Sequence, residues 1–571
     1  MHTDRVSVAL DSGNRLTKVV IENFKKFSRA EIELGREPTI FVGQNNGGKT
    51  TALQAINLWG FLANRWHAER GSSRATKRTG LPITRNTIYA APIGDVRKLW
   101  NGARVQDQDS QKIKVRITAF GINEDGEWEY GMEGTYQNSE LLHARPVDAS
   151  RCMPREVREI FHLPPLSGVQ TNERKLEEAA RNQAIGEGRP GEVLRNLLLE
   201  VQTRFPDAWE ELKTGARNLF HVELHDISFN PVTDPFIEVN YTPISPGDSH
   251  SRIVFEIVSS GSGFLQYLLL AAFMYSHNRG AILLLDEPDS HMHTFLQRNM
   301  YDWLQDIASK TGAQLIISTH SEILVNSTGS IDQIVTFFGE EPRRFSCSDK
   351  RILNNALQIV SPLSIVNAEW SGKVLLAEGD TDFRILVAFS EVLDHPVLPF
   401  FRDQSLLFRP FKTREIGAAM KYFTTLQSVV SRELKGFCLR DSLLITERTQ
   451  EPPFQVEYWN RAEIENYMIH PDALLRYYET RGIGGLFAQR ETAPASEYLS
   501  QHLPRAVLEN PLIEDIGYKG SDFLENFFAT LGVPIRKGSY WEIIKYMRVN
   551  EVHADVVEML DKIHVFLRDS G

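Results

Sequence analysis

The chain has 571 residues, of which 42% are hydrophobic and 24% charged, and its formal net charge is −11. This composition is ordinary for a soluble globular protein of two or three domains, and it argues against a uniformly basic nucleic-acid coat. Cys152, Cys347 and Cys438 lie far apart, so neither a disulfide framework nor a cysteine-based zinc site is predicted. The sequence shows neither a signal peptide nor an apolar run long enough to span a bilayer, which predicts a cytoplasmic protein.

The first predicted elements surround a glycine-rich loop. Residues 1–15 are predicted to form a leader, after which Leu16–Leu34 alternates like paired strands. Thr39–Val42 is predicted as a buried strand and Thr51–Trp59 as a helix. Between them, GQNNGGKT at Gly43–Thr50 fits the phosphate-binding pattern G-x-x-x-x-G-K-[ST]. Because N–H groups and the dipole at a helix N-terminus favour phosphate, the loop is predicted to bind a nucleotide, although an ordinary glycine turn is the alternative.

The predicted roles within this loop follow from its side chains. Lys49 would neutralise the β- and γ-phosphates, and the Thr50 hydroxyl would bind Mg²⁺. The predicted nucleotide contacts in the loop are Gly43, Asn45, Asn46, Gly47, Gly48, Lys49, Thr50 and Thr51.

The stretch after the loop helix is basic. It could contact the phosphate backbone of DNA or another nucleic acid without reading sequence, or it could be a solvated loop. Its basic residues are Arg65, Arg70, Arg74, Lys77, Arg78, Arg85, Arg97 and Lys98.

The patterns of two further regions predict additional parts of the fold in the first half of the chain. Lys112–Tyr136 alternates like strands around a turn, which predicts a β-rich lobe. Residues 150–220 change to helical character, with Glu192–Thr203 the clearest helix, which predicts a helical insertion.

A second apolar strand, ILLLDEP at Ile282–Pro288, ends in two carboxylates. Asp286 could hold Mg²⁺, and Glu287 could orient the attacking water as the catalytic carboxylate. Since this strand and the glycine-rich loop together supply a phosphate site and a metal site, the chain is predicted to bind and hydrolyse a nucleoside triphosphate.

Two more loops resemble motifs of ABC-type ATPases. A small-residue loop precedes an apolar helix, like the ABC signature motif, although a plain flexible turn is the alternative; its residues are Ser260, Gly261, Ser262 and Gly263. The strand QLIISTHS ends at His320, in the position of the switch histidine that touches the γ-phosphate in these ATPases. The resemblance implies a head-to-tail homodimer with two composite sites, and Asp289–His293 would be the D-loop at the seam. Gln106, Gln108 and Gln111 are all candidates for the Q-loop glutamine.

The second half of the chain carries carboxylates after predicted strands. Lys373–Ala377 runs into EGDTD at Glu378–Asp382, and Gly436–Asp441 is a second strand ending in Asp441. If a helix begins at Glu378, Glu378 and Asp382 share a face. Divalent-metal nucleases hold their ions with such groups, although surface carboxylates at strand ends give the same pattern.

An ABC-type head with DEPDSHMH and STHS, followed by a strand and EGDTD, resembles the OLD (overcoming lysogenisation defect) family over about residues 16–480. The resemblance implies an α/β fold with an ABC-type ATPase domain at 16–360 and a Toprim-like domain at 365–480. A helical segment is expected at 481–571. It also implies ATP and Mg²⁺ as cofactors and a second divalent-metal site at Glu378, Asp382 and Asp441.

One departure from the family pattern bears on that second site. Toprim domains usually carry two aspartates, D-x-D, where this chain reads Asp441-Ser442-Leu443. The lost oxygen ligand would weaken a metal site, and Glu447, Glu463 or Glu465 could replace it. Lys537 could stabilise a phosphate, or be a surface lysine.

The sequence leaves three functions open, and it narrowly favours the first of them. In the first, an ATP-hydrolysing sensor and scaffold of antiphage defence controls a partner nuclease, like the Septu-like, retron-linked or PARIS-like systems; Leu443 favours it. In the second, the protein is an OLD-type nuclease that cleaves DNA itself under ATP control, which the intact EGDTD favours. A RecF-like repair ATPase is the third.

Overall fold

The computed structural model describes residues 15–43, 45–70, 80–148, 158–244, 253–277, 280–328, 330–338, 341–344, 350–403, 406–411, 416–442, 450–451, 453–480 and 491–568. Arg74, Lys77, Arg78, Leu443, Glu447 and most of the leader lie outside these residues. The chain divides into two compact units, Met1–Ser346 and Cys347–Gly571. Among the described helices, none has the length and apolar character needed to cross a bilayer.

The first unit contains fifteen strands among its described residues. They are β1 (Arg15–Phe24), β2 (Phe27–Glu33), β3 (Thr39–Gly43), β4 (Leu81–Thr84), β5 (Lys114–Asn123), β6 (Gly126–Asn138), β7 (Leu141–Pro146), β8 (Ile160–Leu163), β9 (Val222–Leu224), β10 (Asn240–Pro243), β11 (Phe255–Glu256), β12 (Ile282–Asp286), β13 (Gln314–Thr319), β14 (Ile334–Phe337) and β15 (Arg343–Arg344). Its described α-helices are α1 (Lys49–Arg70), α2 (Glu178–Gly186), α3 (Leu194–Arg204), α4 (Pro206–Phe220), α5 (Ser262–Ser276), α6 (Thr294–Thr311) and α7 (Glu322–Asn326).

Two six-stranded sheets and one small sheet organise this unit. An antiparallel sheet has the order β2-β1-β5-β6-β7-β4, which confirms the paired strands predicted for Leu16–Leu34 and Lys112–Tyr136. The other large sheet has the order β15-β14-β3-β13-β12-β8 and is parallel except for β15. The third sheet contains β11, β10 and β9.

Helix α1 packs into the core between elements of both large sheets. It is longer than the predicted Thr51–Trp59 because apolar residues such as Leu62 and Trp66 continue its buried face. The indole of Trp59 donates to the Tyr130 carbonyl at 2.8 Å, which anchors α1 to the antiparallel sheet.

The helical character predicted for residues 150–220 is interrupted in the described part by β8. This four-residue strand pairs in parallel with β12, an interaction that local sequence pattern does not reveal. The clearest predicted helix, Glu192–Thr203, corresponds to α3.

The described strands of the second unit are β16 (Lys373–Ala377), β17 (Leu407–Pro410), β18 (Lys435–Arg440), β19 (Gln450–Glu451) and β20 (Phe454–Tyr458). Its described α-helices are α8 (Lys350–Ala356), α9 (Pro362–Ser371), α10 (Asp380–Val392), α11 (Leu398–Phe401), α12 (Ile416–Gln427), α13 (Pro471–Thr480), α14 (Ala493–His502), α15 (Arg505–Glu509), α16 (Gly520–Thr530), α17 (Trp541–Ile544) and α18 (Ala554–Arg568).

These elements form one α/β core. The sheet order is β17-β16-β18-β20-β19, with the first four strands parallel. Phe437 of β18, Phe389 of α10, Phe527 of α16 and Leu560 of α18 belong to one buried cluster, so the C-terminal helices share the core of the sheet. Because β16 and β18 are parallel neighbours, the residues that follow them meet at one sheet edge.

Candidate functional site

The glycine-rich loop joins β3 to α1, as predicted. Lys49 is the first residue of α1, and its Nζ donates to the Gly43 carbonyl at 2.9 Å. Asn46 and Gly48 adopt positive φ values of 62° and 112°. A Cβ at Gly48 would also lie 2.7 Å from Cζ of Phe27, so only glycine fits there. The loop therefore closes around a buried lysine at a helix N-terminus, a geometry suited to phosphate.

The charge of Lys49 is only partly stabilised by the surrounding residues. Burial lowers the pKa of its ammonium to about 8, while the nearby Glu287 and Asp286 carboxylates oppose that change. An anionic ligand at this place would favour the charged form of Lys49.

Asp286 and Glu287 lie at the end of β12, and β13 separates β12 from β3. The carboxylate of Asp286 accepts a hydrogen bond from the Ser318 hydroxyl of β13. Glu287 adopts φ 50°, a left-handed conformation that is uncommon for its residue type. Its Oε1 lies 3.4 Å from Nε2 of His320, so the structure brings together the two predicted catalytic residues.

The pKa shifts of Glu287 and His320 both favour the neutral form of the side chain. Burial, together with Asp286, raises the pKa of Glu287. Burial and the charge of Lys49 lower the pKa of His320. A carboxylate whose pKa moves toward neutral pH is suited to accept a proton from water.

The predicted signature residues lie at the start of α5. Gly261 caps the helix, Ser262 is its first residue, and both are exposed. Gly263 approaches the loop after β12: a Cβ on it would lie 3.2 Å from the His291 carbonyl. Ser260 precedes the cap and, like Gly263, is half-buried, so the four predicted residues form a helix N-terminus whose exposed part is Gly261 and Ser262.

A hydrogen bond from β13 holds the predicted D-loop. The buried Asp289 accepts a hydrogen bond from the Thr319 hydroxyl at 2.7 Å. The three Q-loop candidates, Gln106, Gln108 and Gln111, are exposed in the segment before β5 of the antiparallel sheet.

Residues of the β1–β2 turn were missed at the sequence level. Lys26 Nζ donates to the Asn46 carbonyl of the glycine-rich loop at 2.9 Å. Neighbouring Lys25 donates to Gln54 Oε1 of α1 at 2.6 Å, and burial lowers its pKa to about 8. The only local signal is a pair of lysines in a hairpin turn, which no motif connects with the loop.

The predicted basic stretch begins inside α1, and it is largely paired where the structure describes it. Arg65 contacts Glu69 at 3.0 Å and Arg85 contacts Glu140 at 2.9 Å. Arg97 donates to the Tyr136 hydroxyl at 3.2 Å. These contacts favour the interpretation of the stretch as an ordinary solvated surface.

In the second unit, the predicted carboxylates meet at the edge where β16 and β18 end. Glu378 follows β16, and its Oε1 lies 3.4 Å from both Nε of Arg440 and the backbone N of Asp441. Helix α10 begins at Asp380, so Glu378 and Asp382 do not share a helix face. Instead, Asp382 accepts from the Gly379 N–H at 3.0 Å and caps the helix.

A fourth carboxylate joins these three. Burial, with smaller contributions from the charges of Glu378 and Glu465, raises the pKa of Asp382 to about 7 and that of Asp441 to about 8. Glu465 is itself buried, which raises its pKa, and Lys537 lies 3.6 Å from it. Glu465 lies in a 3₁₀ turn, Ile464–Met468.

Glu463 is engaged elsewhere. It accepts from Lys519 Nζ and Ser521 Oγ, each at 2.6 Å. Burial opposes its ionisation, but these hydrogen bonds outweigh burial and lower its pKa. Of the two glutamates considered as replacements for Leu443 within the described residues, Glu465 is the one left facing the cluster.

Family models match two parts of the first unit. The model described as "AAA ATPase domain" matches residues 15–119, and "AAA domain, putative AbiEii toxin, Type IV TA system" matches residues 176–326. No curated protein matches the chain. These matches place AAA-type ATPase domains in the first unit, and such domains imply ATP hydrolysis with Mg²⁺ as cofactor.

Solved structures resemble the chain at low identity. The Smc head domain of Pyrococcus furiosus is 15% identical, with 61% of this chain and 98% of that chain covered and a TM-score of 0.34. The SMC head domain of Thermotoga maritima is 13% identical, with 58% and 99% covered and a TM-score of 0.31. The recombination mediator protein RecF is 11% identical, with 59% and 99% covered and a TM-score of 0.32.

Proposed function

We propose that the protein is an ATP-controlled, divalent-metal nuclease of antiviral defence, with an OLD-like arrangement of an ABC-type ATPase and a Toprim-like domain. The observation that carries this proposal is the grouping of four carboxylates at one end of the second sheet: Glu378 lies 3.4 Å from the backbone N of Asp441, and the charges of Glu378 and Glu465 raise the pKa of Asp382 and Asp441. Four carboxylates held together repel one another unless protons or a cation neutralise them. DNA is the proposed substrate.

In the ATPase unit, each residue has a distinct proposed role. Lys49 and the loop N–H groups would bind the phosphates, while Thr50 and Asp286 would hold Mg²⁺. Glu287 accepts the proton of the attacking water, and His320 orients Glu287 and contacts the γ-phosphate. The exposed N-terminus of α5 completes the site of a second copy, so that hydrolysis requires a homodimer.

The carboxylate cluster has the donor chemistry that Mg²⁺ or Mn²⁺ requires. Hard divalent cations prefer carboxylate oxygens, and Glu378, Asp382, Asp441 and Glu465 would supply them. A bound ion would activate water and stabilise the charge on a phosphodiester. Lys537, beside Glu465, would contact the same phosphate.

Addition of Mn²⁺ should stabilise the second unit. At a hundredfold excess over Kd, we expect a rise in melting temperature of about 5–10 °C for a unit of this size. Asp441→Asn should abolish the rise and, by relieving repulsion, increase the melting temperature without metal. The exposed Asp394→Asn serves as control; an equal rise in D441N would contradict a metal site at the cluster.

Mixing two inactive variants tests the composite ATP site. Lys49→Ala removes phosphate binding, and Ser262→Arg blocks the helix N-terminus offered to the partner. Each variant alone should lack ATPase activity, whereas an equimolar mixture should recover about a quarter of the wild-type rate, because half of the dimers carry one intact site. A mixture as inactive as its components would exclude head-to-tail completion.

Cleavage assays test the nuclease directly. Purified protein should cut plasmid or linear DNA with Mg²⁺ or Mn²⁺, respond to ATP, and lose cleavage in Glu378→Gln. Absence of cleavage with intact ATP hydrolysis would instead support a sensor and scaffold that controls a separate nuclease. One observation favours that second candidate: Arg440 lies beside Glu378, where its charge competes with a cation.

A further inference from the structure

A buried glutamine ties the signature helix to the catalytic strand end. Gln266 lies one turn after Ser262 on α5 and is only 1% exposed. Its Nε2 donates to the carbonyl of Pro288 at 3.0 Å, immediately after Glu287. Within the described residues, its Oε1 has no hydrogen-bond partner. A half-satisfied amide in an apolar helix costs stability, so packing alone does not explain glutamine at this position.

A second glutamine, from α6, holds the same loop. Gln297 of α6 donates from Nε2 to the carbonyls of Met292 at 3.0 Å and Asp289 at 3.3 Å. Its Oε1 accepts from the Ser321 hydroxyl at 2.9 Å, and Ser321 follows His320. The loop after β12 is therefore held by the Gln266 amide from α5 and the Gln297 amide from α6. The Gln297 amide also holds the segment that carries His320.

Together these contacts form a continuous path through the ATPase unit. It runs from the N-terminus of α5 through Gln266 to the backbone beside Glu287, and through Gln297 to the backbone beside His320. Gly263 adds a close backbone approach to the same loop at His291. A shift of α5 must move this loop or break these hydrogen bonds, since the surrounding core is densely packed.

We propose that Gln266 and Gln297 are positioning residues. When the nucleotide of a second copy occupies the α5 N-terminus, they transmit that change to Glu287 and His320. The proposal deepens the composite ATP site and rests on it. Neither amide touches nucleotide in this scheme. Each fixes the backbone that carries a catalytic side chain, so its loss should slow hydrolysis without weakening ATP binding.

Gln266→Met and Gln297→Met test the proposal, because methionine keeps the length of the side chain and removes the hydrogen bonds. We expect kcat for ATP to fall about tenfold to a hundredfold in each, since small misplacements of catalytic groups have effects of this size. The Kd for ATP and ATP-promoted dimerisation should stay within about twofold of wild type. The double variant should lose little more than the worse single variant, because the two residues act in one path.

The matched control is Gln305→Met, the same substitution on α6 at a similarly half-buried residue, which contacts Glu37 instead of the loop. Wild-type kcat in both test variants would overturn the proposal, as would losses in ATP affinity that parallel the losses in kcat. Gln297 is half-buried, so Q297M decides the question if Q266M does not fold. Failure of the composite site itself would show separately, as a lack of recovery in the mixture of K49A and S262R.

Discussion

Glu287→Gln should lower the rate of ATP hydrolysis by about two to four orders of magnitude, the range expected for loss of a general base. Glutamine keeps the size of the side chain and its contact with His320, but its amide cannot take a proton from water. ATP should still bind, because the loop and Lys49 are unchanged, and ATP-bound dimers should accumulate. Phosphate release under single-turnover conditions, beside nucleotide titration, separates the two effects.

The control variant for this experiment is Glu322→Gln. Glu322 is exposed in the first turn of α7, close in sequence to His320 but outside the proposed site. It should hydrolyse ATP at the wild-type rate. If E287Q retained more than about a tenth of wild-type kcat, another group would have to be the base.

Glu465→Gln should abolish metal-dependent DNA cleavage as completely as Asp441→Asn. Even residues that only support metal ligands contribute about 10- to 100-fold, so loss of a ligand should cost at least a hundredfold. ATP hydrolysis should be retained, because Glu465 belongs to the second unit. Cleavage is measured on plasmid DNA across a Mn²⁺ titration.

Glu463→Gln distinguishes the two neighbouring glutamates. Because Glu463 already binds Lys519 and Ser521, its neutral variant should keep most of the cleavage activity and need no extra Mn²⁺. Equal losses in E463Q and E465Q would mean that the variants disturb the fold of the turn instead of a ligand. Retained cleavage in E465Q would remove Glu465 from the proposed site.

The local fold around the glycine-rich loop and the end of β12 could be predicted from the sequence, because each of these features lies in contiguous residues. Gly43–Thr50 contains both the turn and the start of its helix, and Ile282–Pro288 contains a whole strand with its terminal carboxylates. The four-residue strand β8 was not predicted, since its stability comes from pairing with β12 rather than from local propensity.

In the second unit, the carboxylate cluster could not be predicted from the sequence. Glu378, Asp441 and Glu465 come from three separate segments, and only the folded sheet brings them together. Leu443 narrowly favoured the scaffold interpretation, but Glu465 lies near enough to Asp441 for its charge to raise the pKa of that carboxyl, which weakens this reason. Which segment supplies a replacement ligand depends on long-range packing, which a single sequence does not encode in a readable pattern.

Strand β13 carries a consequence for tolerance to insertion. Consecutive strand residues point to opposite faces, and here Ser318 holds Asp286 while Thr319 holds Asp289. A slip of one residue between β12 and β13 would exchange the two faces and release both aspartates at once. The two hydroxyls therefore fix the register of β13 against β12. Insertions between α6 and β13 should be tolerated only where they leave that alignment intact.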